Sequence, residues 1–79
     1  MSDSEIKKEW DDIEVGEFFV SFYKGRICHS GIKLSDYRYF SFKDAHVFGF
    51  ADNKKPTKKD FPDLWFRVSD LEEVKNARS

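Results

Sequence analysis

The sequence predicts a mainly β, α+β fold: five antiparallel strands in one strongly curved sheet or small barrel, with a short helix at each end. Three observations carry this. Five stretches alternate with period two, the pattern of a strand that buries one face. Glycine or Asp/Ser turn signals separate the early stretches at hairpin spacing. Aromatic residues make up 18% of the 79 residues, enough to give so short a chain a core. A domain of this size buries only about 60% of its unfolded surface, so large rings matter more than usual.

The elements follow in order. Residues 2–13 read as a helix. Ser2 and Glu5 have capping-box spacing, and Ile6, Trp10 and Ile13 fall at i, i+4, i+7. The alternative is an unstructured acidic start that becomes ordered only from Trp10. Gly16 ends this segment. The run Phe18-Phe19-Val20-Ser21-Phe22-Tyr23 is the first strand, with Phe18, Val20 and Phe22 on one face and Phe19, Ser21 and Tyr23 on the other. Lys24-Gly25 turns the chain, since glycine supplies the positive φ of a tight hairpin.

The return strand runs from Arg26 to about Leu34, and Gly31 within it suggests a bulge or sharp bend. Ser35-Asp36 turns into a strand over 37–43, in which Phe40 and Phe42 oppose Tyr39, Ser41 and Lys43. After Asp44-Ala45, His46, Phe48 and Phe50 share a face. Residues 52–63 form one long loop with two prolines and several lysines. Leu64, Phe66 and Val68 form the inner face of a last strand, with Trp65 and Arg67 outward. Ser69 is the expected N-cap of a closing helix that turns Leu71, Val74 and Ala77 inward. The predicted core is Phe18, Val20, Phe22, Ile32, Leu34, Phe40, Phe42, Phe48, Phe50, Leu64, Phe66 and Val68.

The stretch Glu14-Val15-Gly16-Glu17-Phe18-Phe19, followed by Tyr23-Lys24-Gly25-Arg26, resembles the start of SH3-like and Tudor-like barrels. The resemblance spans about two strands and implies a small barrel. An open sheet packed by the terminal helices is the other reading. In size and composition the chain also resembles the small accessory proteins of large tailed bacteriophages. That resemblance implies a protein that binds and blocks a host enzyme, toxin or defence protein.

Function classes narrow by exclusion. One cysteine, Cys28, allows no internal disulfide and suits a reducing compartment. No apolar run approaches a membrane span or a signal peptide, so the expected location is the cytoplasm, that of the host if the chain is phage-encoded. Net charge is −1, but unevenly spread. Residues 1–17 carry seven acids and two bases, residues 18–59 nine bases and three acids, and residues 60–79 five acids and three bases. A basic middle between acidic ends gives either one basic face or a chain that neutralises itself by folding back.

Catalysis has little to work with. Adjacent Cys28 and His29 point to opposite sides of a strand, and His29 with His46 makes only a weak acid–base pair. Cys28, His29 and His46 lack zinc spacing, and there is no phosphate-cradling loop. The expectation is a non-enzymatic, cofactor-free binding protein of one domain, 1–79. Its candidate site is the face opposite the predicted core: Phe19, Tyr23, Tyr39 and Trp65 interleaved with Arg26, Lys43 and Arg67. Aromatics with arginine make protein hot spots, and the same mixture stacks single-stranded RNA or DNA. The alternative is that the terminal helices cover this face. A second candidate is the loop cluster Lys54, Lys55, Lys58 and Lys59. Partner classes are therefore a protein first and nucleic acid second. A nucleotide ligand held by Arg26 or Arg67 comes third, and self-association is compatible with each.

Overall fold

A computed structural model describes residues 7–77. Five antiparallel strands form one sheet: β1 (Phe18–Tyr23), β2 (Arg26–Ser35), β3 (Arg38–Ser41), β4 (His46–Gly49) and β5 (Leu64–Val68). Their order is β4-β3-β2-β1-β5. The mainly β reading holds, and of its two forms the chain adopts the open sheet, with β4 and β5 at opposite edges. The N–H and C=O of Lys8 bond Phe66 on the outer side of β5, which covers part of that edge.

The hairpin signals act as expected. Lys24 and Gly25 both take positive φ, 53° and 81°, the backbone a two-residue turn requires. Gly31 marks something other than a bulge. The sheet irregularities lie between Ser21 and Phe22 and between Lys33 and Ser35. At the first, Ser21 Oγ accepts the His29 N–H at 3.0 Å and fills the gap in the ladder. Gly31 instead lies directly under the Phe40 carbonyl of β3, where a side chain has no room.

The helices differ more from expectation. Ser2, Glu5 and Ile6 lie outside the described residues. From Lys7 the chain is extended and makes only a single 3-10 turn, Trp10–Asp12. The closing helix α1 (Leu71–Asn76) is capped by Asp70, whose Oδ1 accepts the Glu73 N–H at 2.8 Å. Ser69 lies one residue too early: its N–H still completes the sheet ladder to Phe18 O, and the first intrahelical bond runs from Val74 N–H to Asp70 O. Val74 is buried while Leu71 is exposed.

The predicted core divides between the two faces. Phe19 pairs with Val68, Ser21 with Phe66 and Tyr39 with Phe48, so these side chains share one face. Trp10 and Ile13 pack onto it, with Phe50, Leu64 and Val68 around them. Phe18, Ile32, Phe40 and Val47 pair in a row across the other face, which also carries Val20, Phe22, Phe42 and Trp65. There α1 packs against β1 and β2, Val20 and Val74 are both buried, and the remaining aromatics stay half-buried. Leu34, at an irregularity, is exposed. Both faces of β1 are aromatic, so alternation alone cannot choose between them. Trp10 decides by seating on Phe19.

Lys33 is 3% exposed on the Trp10 face. Its Nζ donates to the carbonyls of Trp10 (3.0 Å) and Ile13 (2.6 Å) and stands 4.7 Å from the centre of the Trp10 ring. It closes the 3-10 turn from below, adding a second donor to Trp10 O, which already accepts the Ile13 N–H, and a donor to Ile13 O. Lys33→Met keeps the volume, takes the Lys33 donor from the Ile13 carbonyl and leaves Trp10 O the Ile13 N–H alone. We expect a loss of about 1–3 kcal/mol, read as a lower urea midpoint at unchanged slope.

Candidate binding site

The seven residues expected on one outer face occupy four places. Phe19 and Tyr39, 1% and 8% exposed, belong to the core beneath Trp10. Trp65 and Arg67 lie on the opposite face. Trp65 stacks on Phe22 at 4.2 Å and 12°, while Arg67 sits 5.7 Å from the Phe22 ring and pairs with Glu73. Glu73 is held below the usual carboxylate range by that guanidinium. Arg26 and Lys43 line a hollow of about 390 Å³ at the start of β2, and Tyr23 lies exposed at the end of β1 beside Lys24. The aromatic–basic face is therefore not a single surface.

The lysine loop has a different role. Residues 51–63 return over the Trp10 side of the sheet and leave a cleft of about 450 Å³. Phe19, Tyr39 and Phe66 form its floor, Trp10 and Phe50 a wall, and Ala51, Phe61 and Leu64 part of its lining. Lys54, Lys55 and Pro56 stand above. Lys55 is paired with Asp11 at 2.9 Å, and Lys58 donates to the Leu64 carbonyl. Lys54 and Lys59 are exposed. The loop holds itself in place through Phe61 N–H to Thr57 O (2.8 Å) and Leu64 N–H to Phe61 O (3.0 Å).

Burial favours the neutral form of two rings that line the cleft, His29 and Tyr39. Desolvation, then the nearby Lys43 charge, pushes the His29 imidazole below its ordinary 6.5, with Asp44 opposing. Desolvation and then Asp44 push the Tyr39 phenol above its ordinary 10.0. Tyr39 thus behaves as part of an apolar floor, while His29 lies exposed at the cleft's margin. His29 has a stability consequence. Its folded pKa lies below the unfolded one, so the unfolded chain takes up the proton first. Stability should fall as pH drops below about 6.5, and His29→Gln should flatten that slope between about pH 7.5 and pH 5.5 in urea titrations.

Among the described residues, no three His, Cys, Asp or Glu side chains converge as metal ligands. The Cys28 thiol donates to the Arg26 carbonyl, two residues away, at 3.8 Å. No helix among the described residues is long and apolar enough to cross a membrane. Sequence reasoning missed the cleft because it is assembled by a loop return. The available signal was Phe61 between Pro56 and Pro62, the one aromatic inside a polar loop, which here lines the cleft while staying 44% exposed. No family model, curated protein or solved structure matches this chain.

Proposed function

We propose that this protein is a non-enzymatic binding module that takes an apolar anchor side chain of a partner protein into the cleft beneath residues 51–63. The observation that carries this reading is the cleft's uncharged aromatic floor, in a volume of about 450 Å³. Pockets that bind are mostly apolar with a few polar groups at the edge. Here Lys54 and Asp60 supply that edge. Buried aromatic contacts of this kind dominate protein-interface energies. Blocking a host protein, as the phage-type resemblance implies, is one use of such a module. The single cysteine suits the cytoplasm.

Three of the candidate cations are already engaged, which weighs against the nucleic-acid and nucleotide readings, while Arg26, Lys43, Lys54 and Lys59 stay exposed. Phosphate recognition draws on several charges at once. Arg67 is engaged by Glu73, Lys55 by Asp11 and Lys58 by a carbonyl. The test is capture from cell extract on the immobilised protein, with and without nuclease. Ala51→Trp fills the cleft, and Phe61→Ala removes an exposed wall without touching the core. A protein that resists nuclease, is lost with Ala51→Trp and weakens at least about tenfold with Phe61→Ala supports the reading. Capture indifferent to both variants, or abolished by nuclease, sinks it.

A further inference from the structure

β2 is longer than its neighbour. It has ten residues, whereas β3 has four. The β2–β3 register runs from Gly31↔Ser41 to Ser35↔Arg38, and one more bond joins Phe42 N–H to Ser30 O at 3.1 Å. Before Ser30 the other side of β2 still pairs with β1, through His29, Ile27 and Arg26. On the β3 side, among the described residues, no strand pairs with Arg26–His29, and the space beside them is bounded by Lys43 of the β3–β4 turn and by Ala77 at the end of α1. The sheet therefore has a step in its interior, where a strand presents backbone donors and acceptors to solvent.

The step is a shaped and charged hollow of about 390 Å³, lined among others by Arg26, Ile27, His29, Ser30 and Lys43. Ile27 is 49% exposed beside it. Ser30 is buried, and its Oγ has no hydrogen-bond partner. Among the described residues, no carboxylate forms an ion pair with Arg26 or Lys43. The neighbouring Asp44 carboxylate accepts from Ser41 Oγ at 3.4 Å.

Charged residues at an open edge often serve only to repel other strands. A repelling edge needs charge alone. It has no use for a hollow, an exposed Ile27 or a buried hydroxyl without a partner. A second copy of the chain is a poor occupant, because edge-to-edge pairing would oppose Arg26 and Lys43 with the same cations. An acidic strand meets them with the opposite charge.

We propose that the Arg26–His29 stretch of β2 receives an extended acidic segment of a partner protein as an added strand, with its backbone on β2 and its carboxylates on Arg26 and Lys43. About four residues fill the step at roughly 3.4 Å each. The proposal extends the binding reading above, with which it shares His29, a residue that lines both hollows.

The probe is a capped six-residue peptide of alternating glutamate and valine, titrated into the labelled protein and followed by amide NMR shifts. Saturable shifts confined to residues 26–30 and 43 are expected. They should weaken at least about tenfold in Arg26→Glu/Lys43→Glu, where both changes are at exposed positions. A peptide N-methylated at alternate residues should not bind, because it cannot complete the ladder. Persistence of the shifts in Ala51→Trp would support the edge even if the cleft reading fails. Shifts only at Ala51 and Phe61 would overturn the edge and leave the cleft. Equal binding of a lysine–valine peptide, or unchanged binding of the methylated one, overturns the proposal. So does broadening of the β2 amides that grows with protein concentration in the absence of peptide, since it would assign the edge to a second copy.

Discussion

Trp10→Ala should cost about 3–5 kcal/mol, a large part of the roughly 4–12 kcal/mol expected of a domain this size. Trp10 is 1% exposed and stands at the centre of the packed face. Its ring meets Phe19, Tyr39 and Phe50 edge to face at 5.2–6.2 Å and Phe66 at 5.6 Å. These partners come from β1, β3, the end of β4 and β5, so one side chain joins both halves of the sheet. Its indole N–H donates to Asp36 O at 2.7 Å, and its own carbonyl accepts from Lys33. Alanine removes the ring contacts and the indole donor together. Trp10→Phe keeps a ring and loses the donor, so it should cost about 1–3 kcal/mol. Urea titration separates the two, and near-ultraviolet circular dichroism should collapse for Trp10→Ala alone.

The strands were legible in the sequence because their signals are local. Period-two alternation located all five, and Lys24-Gly25 located the first hairpin. The choice of face was not legible. Phe18, Val20 and Phe22 look like the inner set of β1, since Phe19, Ser21 and Tyr23 include a polar residue. That polar residue is used: Ser21 bridges the ladder irregularity opposite His29. Trp10 and Ile13 were correctly read as core-facing, but the helix meant to present them is a single turn. Lys33 gave no signal at all, because a lysine on a strand reads as solvated until its two carbonyl acceptors are in view. The candidate site suffered most. Phe19 and Tyr39 went to the core and Trp65 to the other face, while the lysine run became the rim of a cleft. Each of these outcomes depends on contacts between segments far apart in sequence, which periodicity does not encode.

Gly31 is where the smallest substitution should have an effect comparable with losing Trp10. A Cβ at this position would stand 1.8 Å from the Phe40 carbonyl oxygen and 2.9 Å from its carbon, with Ser41 Cα at 3.3 Å. All three atoms are backbone, so no rotamer change relieves the clash. Either β3 lifts off β2 or β2 bends away from β1. We expect Gly31→Ala to cost at least about 3 kcal/mol, the upper end of what overpacking usually costs. Gly25→Ala is the control. Nothing lies within 4 Å of its Cβ, and only its φ of 81° opposes a side chain, so about 1 kcal/mol is expected. Hydrogen exchange should distinguish Gly31→Ala from Trp10→Ala by location. Trp10 touches both halves of the sheet, so its loss should lower protection everywhere. The atoms a Gly31 side chain would strike all belong to β3, so protection should fall most in β3 and β4 while the β1–β5 pairing is retained. If protection fell uniformly in Gly31→Ala, the close approach of β3 would be supporting the whole sheet and not one side of it.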